Sequence, residues 1–295
     1  MQQEDVFRAY KSLLFSIAYN MLGSSMDAED CVQEAFLRWY GASHNGEIEA
    51  VRSPKSYLST IVTRLCIDQL RSARAQRERY VGIWLPEPLV TIDETSVTGM
   101  AERSEALSIA FLRLLEQLSP LERAVFLLHQ VFDYEYAEIA AMVQKSADNC
   151  RQIVHRARQH LKALRSPYHA SREQHDTILR QFRRACTSGD MDGLLALLAN
   201  DIVAYSDSGG KALAPRNPIY GADKVTRFLL GVGRKLNALH SFTVRTATIN
   251  GWPGMVTYIN DLPYFIMALN IVDGRIQEID IVTNPDKLRG VPART

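Results

Sequence analysis

Three groups of side chains in this sequence are of a type that does chemistry. The first is a row of long donors within "SADNCRQIVHRARQHL": Asn149, Arg151, Gln152, His155, Arg156, Arg158, Gln159 and Lys162, with Ser146 at its start. Arginine forks onto guanine O6 and N7, glutamine or asparagine pairs with adenine, and cations further along hold phosphates. The second is the run Arg64, Arg71, Arg74, Arg77 and Arg79, a phosphate-facing set or a solvated helix end. The third is a scatter of polar groups near the C-terminus: Asp201, Tyr205, Asp207, His240, Tyr258, Asp261 and Tyr264. They form an acid–base pair only where two converge within hydrogen-bond reach and burial shifts one of them. Asp207 falls in a glycine loop and Asp261 in an Asn-Asp turn, both settings in which aspartate is commonly structural. The four cysteines form no CxxC pair and the seven histidines no metal-ligand spacing, so neither metal nor cofactor is expected.

The elements that must position these groups follow from periodicity. In "DAEDCVQEAFLRWY" the residues Cys31, Val32, Ala35, Phe36, Trp39 and Tyr40 share one helical stripe, with Asp27, Glu29 and Asp30 crowding the first turn. A polar loop, "GASHNGEIEAVRSP", separates it from a second helix in which Tyr57, Leu58, Ile61, Leu65 and Leu70 face inward. "YVGIWLPEPLVTIDETSVTG" breaks the pattern with prolines and glycines. Trp84, Leu85 and Leu89 give it apolar anchors, so this linker is expected to be docked. Helices resume from Glu102 to about Arg165. Ser119, Pro120 and Glu122 mark a capped helix start. In "EYAEIAAMVQKSADNCRQIVHRARQHL" the stripe Tyr136, Ile139, Ala140, Val143 gives way to Cys150, Ile153, Val154, Ala157, Leu161, Leu164, two helices with a tight turn and Ser146 as an N-cap. Beyond Tyr168 the texture changes. Helices near 171–187, 190–199 and 222–238 surround "DIVAYSD", and four strand-like runs end the chain, the last alternating Ile279 and Ile281 with Glu278 and Asp280. That order argues for a separate α+β domain.

The whole chain of 295 residues carries a net charge of only +1, so it is no general polyanion binder. Its cations are local: six Lys/Arg against one acid from Lys145 to Arg165, and five Arg against two acids from Arg64 to Arg79. The start, MQQEDV, reads as no signal peptide, and no apolar run reaches membrane length. A reduced, cytoplasmic setting without membrane contact is expected, with Cys31, Cys66 and Cys150 packed as small apolar residues.

Three of these stretches, in order, resemble bacterial RNA polymerase sigma factors of the extracytoplasmic-function (ECF) type. "DAEDCVQEAFLRWY" is similar to the helix that the family uses on the polymerase clamp, and "RSPKSYLSTIVTRLCIDQLR" to its promoter −10 segment. "LEQLSPLERAVFLLHQVFDYEYAEIAAMV" with "SADNCRQIVHRARQHL" is similar to its −35-binding helix-turn-helix. The resemblance implies polymerase contacts at Asp30, Gln33, Glu34 and Arg38, on the β′ clamp, with the β flap as a second contact. It implies DNA contacts at Arg64, Arg71, Arg74 and Arg77 and at Ser146, Asn149, Arg151, Gln152, His155, Arg156 and Arg158. The loop between Trp39 and Tyr57 would capture an unstacked −10 base. Many ECF factors carry Asn where this chain has Arg64, so the details of −10 recognition do not transfer. The C-terminal part resembles the SnoaL-like branch of the NTF2-like fold, a curved sheet around a cone. "WLPEPL" (Trp84, Leu85, Pro86 onward), "DSGGK" (Asp207, Gly209, Gly210, Lys211) and "NPDKL" (Asn284, Pro285, Asp286, Lys287, Leu288) resemble the SigJ type of these factors. Ser208 stands where a glycine is usual, a change expected to restrict the loop.

The expected fold is therefore multidomain: two all-α sigma regions (1–80 and 102–166) joined by a linker (81–101), and an α+β NTF2-like regulatory domain (168–295). The expected function is promoter-specific initiation by a non-enzymatic sigma subunit modulated in cis by its C-terminal domain, which has a pocket that could hold a small ligand. Two alternatives stay open: a helix-turn-helix regulator with an effector domain, and an NTF2-like isomerase or cyclase.

Overall fold

The structure is a computed structural model that describes residues 3–44, 51, 53–77, 80–92, 107–164, 171–239 and 241–294. It divides into two compact units. One comprises Met1–Arg79, Thr98–Leu107 and Phe111–Arg165, and the other Tyr80–Val97, Ser108–Ala110 and Ser166–Thr295.

The first unit is helical. Helices α1 (Gln3–Leu22), α2 (Ser25–His44) and α3 (Pro54–Arg77) pack on one another. Ser24 Oγ accepts from Asp27 N–H at 3.2 Å and starts α2. Ala28, Cys31, Val32, Ala35 and Trp39 then enter the core at steps of three and four. Tyr40, expected on that stripe, is 46% exposed and lies beside the rings of Phe36 and His44. The helix also runs to His44, four residues into the stretch expected to be a loop. On α3 the deeply buried residues are Leu58, Val62, Cys66, Ile67 and Leu70, while Tyr57, Ile61 and Leu65 are half-buried. The inner face is turned by about one position because α3 is covered twice, by α1 and α2 and again by helices further along the chain. Ser59 and Thr63 are fully buried under that second cover.

The remaining helices are α4 (Ile109–Leu115), whose first two residues belong to the other unit, α5 (Pro120–Gln130), α6 (Tyr136–Val143) and α7 (Ala147–Leu164), and the second cover of α3 comes from α5 and α6. Ser119 and Glu122 form the expected reciprocal capping box before α5, with Pro120 at its first turn. Gln144, in the left-handed region at φ 55°, makes the sharp exit from α6.

In the second unit, helices α8 (Arg172–Ser188), α9 (Met191–Leu197) and α10 (Ala222–Asn237) pack against a seven-stranded sheet. Its strands are β1 (Val90–Thr91), β2 (Leu198–Asp207), β3 (Ile219–Tyr220), β4 (Phe242–Ile249), β5 (Trp252–Ile259), β6 (Leu262–Val272) and β7 (Arg275–Val282), in the order β1-β4-β5-β6-β7-β2-β3. Among the described residues only the β2–β7 pairing is parallel. Strand β2 starts at Leu198, so α9 is shorter than its expected 190–199. Asn260 and Asp261, at φ 50° and 62°, form the two-residue β5–β6 turn.

The helix-facing side of the sheet holds Phe182, Leu194, Ile202, Val225, Leu229, Phe265, Met267 and Ile279 in a packed apolar core. The opposite side holds a second core of Leu85, Val90, Ile109, Ile249, Val256, Tyr258, Ile266, Val282 and Leu288. Sequence alternation had placed Asp280 on a wet face, but it is 2% exposed. The linker covers that face, so β7 is buried on both sides.

Candidate functional site

Helices α6 and α7 form a helix-turn-helix. Ser146 Oγ accepts from Asn149 N–H at 3.2 Å and caps α7. Cys150, Ile153, Val154, Ala157 and Leu161 are buried, which leaves Arg151, Gln152, His155, Arg156, Arg158 and Gln159 exposed on the other side, with Asn149 half-buried. The side chain of Lys162 lies outside the described residues. Several donors are already oriented. Arg151 pairs with Asp148 and lies 5.3 Å from the centre of the Tyr136 ring; Arg158 Nε donates to Gln130 Oε1 at 3.0 Å. All of these bonds are exposed and can be exchanged for those of a ligand. In chemical terms the face is a row of forked and amide donors on one rigid helix, able to reach base edges and phosphates.

On α3, Arg71 is exposed and pairs with Asp68 at 3.1 Å. Arg74 and Arg77 continue the same helix; their side chains, and all of Arg79, lie outside the described residues. Arg64 is engaged differently: its Nε donates to Met142 O at 2.9 Å and an Nη to Ala141 O at 3.3 Å. On α2, Asp30, Gln33 and Arg38 are exposed and Glu34 half-exposed, joined by a 2.8 Å Arg38–Glu34 pair. They form one outward polar row opposite the buried stripe. Of the loop expected to take an unstacked base, residues 45–50 and 52 lie outside the described residues.

The three short motifs of the second unit meet at one carboxylate. Asp207 is fully buried at the end of β2. Its Oδ1 accepts from Tyr80 Oη at 2.6 Å and Gly209 N–H at 3.1 Å, and its Oδ2 from Leu85 N–H at 2.8 Å and Lys287 Nζ at 2.7 Å. The Lys287 ammonium also donates to Leu85 O and lies 4.3 Å from the Trp84 ring centre. Asn284 Nδ2 donates to Tyr80 Oη at 2.8 Å, and Asn284 Oδ1 caps the Pro285–Leu288 turn by accepting from Asp286 N–H. Burial, with Asp207 beside it, pushes the Tyr80 phenol well above its usual value and keeps it a donor. Lys211 pairs with Asp286 on the exposed rim, where the Lys211 hydrogen bond holds the Asp286 carboxyl below its usual range. The positive-φ positions of the loop are Gly209 and Gly210. Ser208 is therefore accommodated without strain, and its Oγ accepts from Gly210 N–H at 3.3 Å. Farther along the linker, Leu89 and Asn250 exchange hydrogen bonds at 3.0 and 2.9 Å, and Val90 and Thr91 join the sheet edge beside β4.

The remaining polar candidates do not converge. Asp201, Asp261 and Tyr264 are exposed, Tyr205 and Tyr258 belong to the linker-side core, Asp207 is consumed by the linker, and His240 lies outside the described residues. The cavity bordered by His175, Trp252 and Asp280 is about 20 Å³, room for one water.

Sequence reasoning missed Tyr80, Lys287 as the partner of Asp207, and Arg123. Arg123, on α5, is 2% exposed, pairs with Glu116 and donates to Asn20 O at 3.1 Å. Burial pushes its guanidinium down to about 9, which leaves it charged at neutral pH. An arginine inside an apolar helical run ("LERAVFLL") was the available signal.

Residues 6–76 match the family described as sigma-70 region 2, and residues 108–161 that described as sigma-70, region 4. The ECF RNA polymerase sigma factor SigJ of Mycobacterium tuberculosis is 34% identical over 298 residues, covering 98% of this chain and 94% of that protein. The probable ECF RNA polymerase sigma factor SigI of the same species is 31% identical, covering 98% and 97%. The crystal structure of Mycobacterium tuberculosis SigJ is similar with a TM-score of 0.79 at 32% identity, covering 98% of this chain and 99% of that one.

Proposed function

The chain belongs to the extracytoplasmic-function RNA polymerase sigma factors, and from that premise we propose how its residues divide the work of promoter-specific initiation. The chain is not an enzyme; it binds core RNA polymerase and promoter DNA. The exposed donor face of the N-capped α7 carries the finer reading. Arg151, Gln152, His155 and Arg156, with Asn149, read −35 base edges, while Ser146 and Arg158 fix the helix on the backbone. Arg71, Arg74 and Arg77 follow −10 phosphates. The outward row Asp30, Gln33, Glu34, Arg38 meets the β′ clamp, and the α4–α7 region meets the β flap. The working boundaries are 1–80 for region 2, 81–101 for the linker, 102–166 for region 4 and 168–295 for the regulatory domain. The setting is the cytoplasm, where polymerase and chromosome are found.

The C-terminal domain acts in cis by holding the linker. Tyr80, Trp84 and Leu85 are fastened by Asp207, Asn284 and Lys287, and a tethered domain works at an effective concentration of order millimolar without a separate partner. Holding this segment limits how far the chain between regions 2 and 4 can extend.

Run-off transcription with purified core polymerase tests the proposal. The full chain should direct initiation from a promoter with both elements, and Arg151→Ala should lose about 1–3 kcal/mol of discrimination at one −35 position. Unchanged discrimination across all −35 positions would remove α7 as the reader.

A further inference from the structure

The guanidinium of Arg64, expected to contact −10 DNA, is bonded instead to the backbone of another helix. Helix α6 ends at Val143, and the N–H groups of Gln144 and Lys145 both return to Ala140 O. The next two carbonyls, those of Ala141 and Met142, are taken by Arg64. The last carbonyls of a helix carry its negative dipole end, and a two-pronged cation is a strong cap for them. The cap joins α3 to the first helix of the helix-turn-helix, across 77 and 78 residues of sequence. Beside it, Arg64, Ile67, Asp68 and Arg71 face Leu121, Met142 and Lys145 across a cleft of about 390 Å³. Deeper in the same contact, Ser59 Oγ and Tyr134 Oη lie 2.7 Å apart in a buried hydrogen bond, and Lys55 Nζ is 4.9 Å from the Tyr134 ring centre.

We propose that Arg64 is a positioning residue that caps the C-terminal end of α6 and holds the −10 helix and the helix-turn-helix as one body, which must part before both promoter elements are read. The inference rests on the promoter-reading assignments proposed above. On B-form DNA, elements centred about 25 base pairs apart are separated by roughly 85 Å. Helices joined through one side chain cannot span that distance, so the Arg64 cap belongs to the free sigma factor and is lost on promoter engagement. The same guanidinium cannot cap α6 and hold a −10 phosphate or base at once. Closure therefore also withdraws a DNA contact, and opening releases it.

The test uses the full chain, with spin labels on genetically encoded ketone side chains at exposed Glu4 of α1 and Gln159 of α7, read by pulsed dipolar spectroscopy. The wild type should give one short, narrow distance population. Arg64→Ala and Arg64→Asn should each raise the long-distance population about tenfold or more, because two charge-assisted bonds are lost, and Arg64→Lys should fall between. Association with core polymerase should speed up in the same rank order, an effect that a loss of DNA contact alone does not produce. Unchanged distances in both Arg64→Ala and Arg64→Asn would overturn the cap; should the alanine variant not fold, the asparagine and lysine variants decide. Distances that respond while the wild type never binds core polymerase would leave the cap standing and sink the promoter-reading assignment instead.

Discussion

Replacing Lys287 by methionine removes the only cation the structure places on the buried Asp207 among the described residues, while keeping most of the stem volume. The carboxylate would retain Tyr80 Oη, Leu85 N–H and Gly209 N–H but lose the 2.7 Å ammonium contact. Stripping one partner from a buried ion pair costs about 3–5 kcal/mol. The lost cation–π contact with Trp84 adds about 1 kcal/mol, and the three surviving donors, together with the 13% exposure of the Lys287 side chain, pull the sum back to about 3 kcal/mol. The cost falls first on the linker, because Leu85 offers Lys287 its carbonyl and Asp207 its N–H. Hydrogen–deuterium exchange of the full chain is the direct assay. At about 3 kcal/mol, exchange across residues 83–90 should accelerate about 150-fold, while β5 and β6 stay protected. The pair is buried, so 0.5 M salt should not reproduce the effect. Protection of 83–90 within threefold of the wild type would refute the idea that this ion pair holds the linker.

Gly209 has φ +55°, and a Cβ there would lie 2.5 Å from Asn284 Nδ2 and 3.0 Å from Tyr80 Oη; Gly189 has φ +73° and open space. In urea unfolding Gly209→Ala should cost about 3 kcal/mol and Gly189→Ala about 1, and equal costs would rule out the clash. Burial opposes ionisation of Glu122, but the Ser119 hydroxyl and N–H bonds outweigh it and hold the carboxyl below its ordinary 4.5. The lowered value means that this stabilisation is full above 4.5 and fades as pH falls through the folded value. Glu122→Gln should therefore cost about 0.5 kcal/mol at pH 7, with the gap to the wild type closing on acidification. A gap that widens on acidification contradicts that sign. Burial pushes the Cys186 thiol up to about 12. Iodoacetamide at pH 8 should label it more than about a thousandfold slower than a free cysteine, and rapid labelling in native-state mass spectrometry would show the site to be open.

What was legible in the sequence was local. The capping box at Ser119 and Glu122, the buried stripe of α7 from Cys150 to Leu161 and the four C-terminal strands each depend on neighbours within one turn or one hairpin, and all appear as expected; the side chain of Leu164, which ended the expected stripe, lies outside the described residues. Tyr40 and the inner face of α3 departed from expectation because the count of apolar residues does not reveal how many partners will cover a helix. Asp280 departed for the same reason, since alternation cannot announce that a proline-rich linker will cap the wet side of a sheet. The short motifs were visible as strings, but their meaning was not. Asp207 meets Leu85 across 122 residues and Lys287 across 80, and nothing local to "DSGGK" names either partner.

Arg64 shows the same limit from the functional side. Its place in "RSPKSYLSTIVTRLCIDQLR" made it a DNA contact by resemblance, in the same reading as Arg71, Arg74 and Arg77. Its acceptors are backbone carbonyls, which every residue carries and no sequence pattern marks. A side chain bonded to another helix's backbone leaves no complementary residue to find, so only the folded chain shows the pairing. The consequence reaches function: mutating Ala141 or Met142 removes neither acceptor, and only substitution of Arg64 can separate closure of the body from the reading of DNA.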